Sequence, residues 1–413
     1  MTKLSFFRYI LPIILIAALA AWVYSRWDAW FHNPPEEPYE VPTEPSRVML
    51  TFGNEGEMSR YVTWMCDTLV DQKAKLLLVT PEADTLEVEA QGEVFVSRAG
   101  QAAYYRALLT QLQPESTYDY AVESRGHRSP WFRFRTSDPG ADHFSFLYMG
   151  DVQDTLGGIA NQLLRQAVAR HAQVEFVAFG GDLTERPTDA YWGETFRSID
   201  SVCTTLPVLN ITGNHDYLKY LIRKCERRFV LHFPYFMQGM EERDDENHLF
   251  HLRYHNADFY LLDSDRGLGF LWGQRQWLAK QLDTTTAQHR IVMLHHPLYS
   301  VKRKNNNLVA RWMFNDLIRE AQVELVLQGH EHAYTHCTAS DEPLTAHECL
   351  NPPLYTVSHC SPKNYNIHPT ARFAPVLSGS RYYQVVTVDA QTVTMCGYDA
   401  MTGEQVDSVR ILR

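Results

Sequence analysis

Between Phe144 and His332, five short apolar runs each end in a block of side chains able to hold a metal ion. Phe144 to Met149 leads into Gly150-Asp151-Val152-Gln153, Glu175 to Phe179 into Gly180-Gly181-Asp182, and Pro207 to Ile211 into Gly213-Asn214-His215-Asp216. Arg290 to Leu294 is followed by His295-His296-Pro297, and Glu324 to Leu327 by Gly329-His330-Glu331-His332. Segments with helical spacing alternate with these runs: Asn161 to Arg170, Tyr191 to Val202, Gln274 to Gln281 and Arg311 to Ala321. Alternating strands and helices predict an α/β domain, and in open sheets of that kind ligands gather at the carboxyl ends of the strands. Residues two apart on extended chain point to the same side, so Asp151 with Gln153, and His330 with His332, can each aim two donors into one space. Such pairs suit two cations roughly 3.5 to 4 Å apart, the spacing of two-metal hydrolytic sites. Alone, Asp182 or Asn214 would read as a turn former or helix cap. Their company of histidines, each behind its own strand, points to metal instead.

The chain before this region has a different rhythm. From Val41 to Thr136, short alternating runs separated by turn signals (Arg47 to Phe52, Arg60 to Cys66, Lys75 to Thr80, Ala102 to Leu109, Thr117 to Glu123, Trp131 to Arg135) predict a small β-sandwich. Leu112 to Tyr120 is similar to the tyrosine corner of fibronectin-type sandwiches, and Ser137-Asp138-Pro139-Gly140 marks the boundary. Strands are also expected at Leu249 to Tyr254, Phe259 to Leu262 and Leu354 to Val357, with Tyr382 to Val388 and Val393 to Tyr398 closing the chain.

Lys3 and Arg8 precede an apolar run from Tyr9 to Tyr24 that ends among Trp22, Trp27 and Trp30, ahead of an acidic, proline-rich stretch. The run is slightly shorter than the roughly 17 to 25 residues of a typical spanning helix, but its basic flank and aromatic belt suit an N-in anchor. Cleavage after Ala18-Leu19-Ala20 is the competing reading, and either one places the rest outside the cytoplasm. The expected organisation is thus a signal anchor or signal peptide over 1–30, a linker over 31–45, a sandwich over 46–137 and an α/β domain over 141–413. Lys and Arg total 38 against 49 Asp and Glu, a net charge of −11 that argues against a nucleic-acid-binding surface. Seven cysteines with no C-x-x-C pair exclude a zinc ribbon, and Cys337, Cys349 and Cys360 are close enough in sequence for one loop disulfide.

The five blocks, in this order, resemble the calcineurin-like metallophosphoesterase family, and the sandwich ahead of them brings the likeness nearest to purple acid phosphatases. The resemblance implies a four-layer α/β/β/α domain behind a fibronectin III-like sandwich. It implies two divalent ions, of Mn, Fe, Zn or Mg, with Asp151 and His332 on the first, Asp182 bridging, and Asn214, His295 and His330 on the second. His215 would protonate the leaving oxygen, held by Asp216, and the substrate would be a phosphate ester. Cations in such a site bring the pKa of bound water near 7 and so make a nucleophile without a strong base.

Two positions depart from the pattern. Purple acid phosphatases carry a tyrosine three places after the bridging aspartate, where this chain has Glu185, so their charge-transfer colour should be absent. Other members use Asp-x-His in the first block, and here the second residue is Gln153, a weaker oxygen donor that turns the first site from Zn²⁺ toward Mn²⁺, Fe²⁺ or Mg²⁺. His359, Lys363 and Tyr365 follow the Leu354 strand at the same rim and are candidate substrate contacts. Lys302-Arg303-Lys304 could steer an anion there or simply be solvated, and His296 could join the site or pack before Pro297. His171, His289 and His347 belong to no motif and are expected at the surface. The leading reading is a monoester phosphatase. A phosphodiesterase acting on nucleotides or phospholipids, and a catalytically weak surface binding protein, stay open, as does the oligomeric state.

Overall fold

A computed structural model describes residues 3–67, 69–220, 222–237, 248–302, 307–344, 347–349 and 351–412. Arg303, Lys304, Asn305 and Asn306, and with them most of the basic run, lie outside the described residues.

Two sheets form the centre. The strands Phe250–Tyr254, Ala257–Leu261, His289–Met293, Leu325–Gln328 and Leu354–Val357 belong to a seven-stranded sheet, completed by Tyr334–Cys337 and Val376–Leu377. Their side chains alternate between two cores: Phe259, Ile291 and Leu325 face the other sheet, whereas Tyr260, Val292 and Val326 pack under the helices Leu268–Thr284 and Leu308–Glu320. The opposing sheet contributes Phe146 and Phe176 to the shared core and carries the helices Ala160–Arg170 and Asp189–Cys203 on its far side, through Leu163, Leu164, Trp192 and Phe196. Helix, sheet, sheet, helix is the four-layer arrangement expected of an α+β domain.

That opposing sheet has eleven strands because it does not stop at the boundary the sequence suggests. Ser46–Phe52, the first strand of the sandwich, pairs in parallel with Val208–Asn210 at Thr51 and Val208. Its Val48 and Leu50 face the sandwich core, and its Met49 and Phe52 face the central one. The turn at 137–140 divides the modules in sequence, while hydrogen bonding joins them. In the sandwich the Tyr118 hydroxyl accepts a 2.8 Å hydrogen bond from the Gln113 amide, the link a tyrosine corner makes.

Several expectations need correction. Thr85–Glu89 and Gln91–Val96 are strands the reading missed, because both are largely exposed and their alternation is weakly apolar. Gln405–Leu412 adds a third closing strand, paired with Thr392–Asp399. All seven cysteines are free. His289 is buried beside Glu324, at 3.4 Å, and its ring bonds the Asp389 carbonyl. His171 is half-buried with its ring against the Tyr383 hydroxyl, and only His347 is exposed as expected.

A helix runs from Lys3 to Phe31, and its span Ile10–Asp28 is long and apolar enough to cross a membrane, with none of it buried against the protein. The segment after it has no regular structure, yet it is fastened down. Glu36 lies beneath the surface with an oxygen 2.5 Å from the Arg228 guanidinium and 2.8 Å from the Asp189 amide. Burial works against the charge on Glu36, but Arg228, the Asp189 amide and Ser97 together outweigh it and hold the carboxyl below its ordinary range. Removing one partner of a buried pair strands the other, at a cost of about 3 to 5 kcal/mol. Arg228→Met should lower the urea midpoint accordingly. Because the Glu36 pKa is depressed on folding, its contribution is present above the ordinary carboxyl range and should fade in wild type as pH falls through the depressed value.

Candidate metal centre

Three of the five blocks leave their strands through a backbone conformation that L-residues rarely adopt. Asp151, Asp182, His330 and His332 have φ of 44°, 51°, 71° and 44°. Such strain persists only where the surroundings enforce it, and here it turns four donor side chains inward. Two glycines make room. A Cβ at Gly329 would meet Asp151 Oδ2 at 2.3 Å, and one at Gly213 would meet Asp182 Oδ1 at 2.2 Å and its amide nitrogen at 2.3 Å.

The result is a buried cluster. Asp151, Asp182 and His295 are at most 1% exposed, and they offer one donor atom each within 4.8 Å of one another. Asp182 Oδ2 is 3.3 Å from His295 Nε2, and Asp151 Oδ1 is 3.4 Å from His332 Nε2. Backbone carbonyls orient both rings: His295 Nδ1 donates to Gly180 O at 2.7 Å and His332 Nδ1 to Lys363 O at 3.0 Å. A carbonyl only accepts, so each Nδ1 carries a proton and each Nε2 is the nitrogen left to face the cluster. His330 Nδ1 lies 2.8 Å from Asn214 Oδ1, and the His330 amide donates to Asp151. The Gln153 amide reaches in to 3.4 Å from His332 and 3.5 Å from Asp182. Burial opposes ionisation of Asp182, but the His295 and His215 rings hold its carboxyl well below the usual range. Burial likewise opposes protonation of His295, and Asp182 and Asp151 overcome it, raising the ring well above an ordinary imidazole.

Donor chemistry and geometry both fit divalent cations. His295 Nε2, Asp151 Oδ1 and Gln153 Oε1 have no hydrogen-bond partner among the described residues. Orphaned polar atoms of this kind, packed together below the surface, are what a metal site looks like from the protein side.

His215 stands beside the cluster, its Nε2 4.0 Å from Asp182 Oδ2 and its side chain partly open to solvent. Its Nδ1 donates to the Glu185 carbonyl at 2.6 Å, so that carbonyl orients the ring. The Asp216 carboxylate, expected to hold it, accepts from the Gly213 amide at 2.8 Å and closes the Gly213–Asp216 turn instead. Glu185 also pairs through its side chain with Lys363 Nζ at 2.5 Å, which bridges two loops at the rim. Tyr365 lies over the His332 ring at 4.4 Å, and Lys302 Nζ stands 3.7 Å from the Tyr365 ring centroid. His359 is fully buried and stacked on His332 at 5.3 Å, so it backs the ligand ring and offers no face to the opening.

The sequence reading missed three residues that shape the centre. Glu331 points away from its two histidine neighbours and accepts from the Val301 amide at 2.6 Å and from Ser300, fixing the loop that follows His295. Its place between His330 and His332 on alternating chain was the available signal. The Asp265 side chain is enclosed with neither carboxylate oxygen hydrogen-bonded among the described residues, 3.7 Å from His296 Nδ1. Ser264 bonds the same ring nitrogen at 3.1 Å, and His296 lies 4.3 Å from the His330 ring, its pKa pushed down to about 3 by burial and by His295. No spacing rule connects residues 264 and 265 to this rim. Tyr334 is fully buried, its hydroxyl on Asp407 at 2.8 Å, and is core.

Since the atoms facing a Gly213 Cβ are the Asp182 amide and carboxylate, Gly213→Ala should displace Asp182 while leaving the sheets intact. Misplacement of about 1 Å costs on the order of 10²-fold. A kcat/KM loss of that size on a phosphate ester, with an unchanged circular dichroism spectrum, is the expected result.

Family comparisons agree with this geometry. Residues 45–136 match the purple acid phosphatase N-terminal domain, and residues 144–334 match the calcineurin-like phosphoesterase family. Among solved structures, GAP50, the anchor in the inner membrane complex of Plasmodium, aligns over 66% of this chain and 89% of its own at 15% identity and a TM-score of 0.48. A Paenibacillus cycloisomaltooligosaccharide glucanotransferase aligns over 71% of this chain and 46% of its own at 12% identity and a TM-score of 0.21. A comparison with curated proteins found no match. The chain is a calcineurin-like metallophosphoesterase with a purple acid phosphatase N-terminal domain.

Proposed function

We propose that this metallophosphatase hydrolyses phosphate monoesters outside the cytoplasm, on two divalent cations, while anchored by its N-terminal helix. The observation that carries the reading is the convergence of Asp151, Asp182 and His295, donor atoms within 4.8 Å, on one buried point. Asp151, Gln153, Asp182 and His332 would hold one cation and Asp182, Asn214, His295 and His330 the other. Bound there, the cations would supply Lewis acidity toward the phosphoryl oxygens and lower the pKa of water toward neutrality.

The chain's own residues do the rest. Carbonyls of Gly180 and Lys363 hold the ligand rings in the tautomer that binds. The Glu185 carbonyl keeps a proton on His215 Nδ1, so Nε2 is the atom that gives a proton to the departing alkoxide once the ring is cationic. Lys302 at the rim places positive charge where a phosphate dianion enters, Lys363 closes the rim against Glu185, and Tyr365 forms the wall beside His332. His359 positions His332 by stacking. Lys3 and Arg8 ahead of the apolar span favour an N-in orientation, with the catalytic part on the far side.

Asp182→Ala should lose retained metal and turnover together, measured by elemental analysis and phosphate release. His215→Ala should retain metal and lose about 10²- to 10⁴-fold on esters of poor leaving groups, and much less on p-nitrophenyl phosphate. Equal losses on both would remove the proton-donor role. Parallel rates on p-nitrophenyl phosphate and bis-p-nitrophenyl phosphate should favour the monoester, and turnover of the diester alone would replace this reading with a phosphodiesterase.

A further inference from the structure

The hairpin that begins at the metal rim is also the place where the N-terminal helix is tied down. Directly after Asn214, His215 and Asp216, the chain makes two short paired strands, Tyr217–Leu218 and Lys224–Cys225. Between them, Lys219 exchanges two hydrogen bonds with the side chain of Asn33: Asn33 Nδ2 donates to Lys219 O at 2.8 Å, and the Lys219 amide donates to Asn33 Oδ1 at 2.7 Å. Arg98 adds a bond to Pro34 O at 2.7 Å, and the Glu36–Arg228 pair follows. The membrane-compatible span ends at Asp28 and the helix at Phe31. Three helical residues and His32 therefore separate the span from the clamp at Asn33, a reach of about 12 Å at most. A headgroup layer is itself roughly 5 to 8 Å thick. A tether this short holds the hairpin against the bilayer.

The surface beside the hairpin has the composition such a position requires. Tyr220 and Ile222 at its tip are 50% and 69% exposed. Arg266 crosses to the Arg223 carbonyl at 3.5 Å and stacks on Phe270, joining the hairpin to the start of the helix Leu268–Thr284. There Leu268 and Trp272 are exposed, and Trp272 shares a surface depression with Leu308 and Trp312 of the helix Leu308–Glu320, Trp312 being 70% exposed. Both helices start from rim loops, so this apolar belt lies on the metal-bearing end of the domain. The hairpin also carries Lys219, Arg223 and Lys224 and no acidic residue between Tyr217 and Cys225, in a chain whose net charge is −11. Basic residues next to apolar and aromatic ones are what an anionic bilayer surface attracts.

We propose that the metal rim docks on the bilayer through this belt, and that the enzyme takes phosphate monoesters carried by lipids at the membrane surface. This rests on the phosphatase reading above and on retention of the leader helix. The test uses the full chain, metal-loaded, in phosphatidylcholine vesicles containing phosphatidylglycerol. Hydrolysis of phosphatidic acid in the same vesicles is compared with hydrolysis of p-nitrophenyl phosphate, and tryptophan quenching by brominated lipids is read in parallel. In Trp272→Ser/Trp312→Ser, the phosphatidic acid rate should fall about tenfold, equivalent to about 1.4 kcal/mol of lost interfacial binding. The soluble-ester rate, which also reports that the variant is folded, should not change, and part of the quenching should disappear. An unchanged ratio between the two esters, or quenching insensitive to the double variant, would overturn the proposal. So would an intact mass showing cleavage after Ala20, or a dimer in solution dissolved by the same substitutions, which would give the belt to a second copy. Wild type inert on both esters would instead remove the phosphatase reading, with quenching still deciding whether the rim touches lipid.

Discussion

Two carboxylates and the nitrogens of several imidazoles crowd into a space from which water is nearly excluded. Burying an ionised carboxylate without compensation costs several kcal/mol, and Asp151 and Asp182 are at most 1% exposed. The protein gives them only partial compensation: one oxygen of Asp182 has the His215 amide, one of Asp151 the His330 amide, and the inward oxygens face histidine nitrogens. This excess of inward-facing donors is the constraint on which the architecture turns. Left-handed backbone at four ligand positions, glycines with no room for a Cβ and carbonyls fixing ring tautomers all serve to hold donor atoms where they would not otherwise stay.

The departures from the purple acid phosphatase pattern acquire a physical meaning in this setting. With Glu185 in the tyrosine's place, the side chain turns outward to Lys363 while its carbonyl orients His215. The position thus orients the His215 ring and joins two rim loops through groups unrelated to a phenolate ligand. Gln153 brings its amide nitrogen beside Asp182 and His332 without adding charge to the cluster.

Continuity between modules extends this rigidity beyond the centre. The sandwich is hydrogen-bonded into the central sheet through Thr51 and Val208, and the segment after the leader helix is clamped to both modules by Glu36, Arg98 and Asn33. Leader, sandwich and metal rim therefore have fixed relative positions. The helix Lys3–Phe31 thus leads directly into a segment fastened to the hairpin beside the metal rim.

What was legible in the sequence follows from how local each signal is. The apolar runs, helical spacings and boundary turn are properties of neighbouring residues, and they placed the strands before each donor block and the helices between them; the resemblance of the five blocks supplied the candidate ligands, of which Asp151, Asp182 and His295 converge. Weakly apolar edge strands such as Thr85–Glu89 left no such trace. Tertiary structure alone decided that Asp216 closes a turn while a carbonyl holds His215, that His359 and His289 are buried, that Asp265 reaches the centre, and that the supposed linker is bolted to the hairpin at Lys219. Each of those outcomes depends on atoms brought together from distant parts of the chain, whose meeting is set by the packing of whole sheets and by the satisfaction of buried polar groups, quantities that no window of sequence contains.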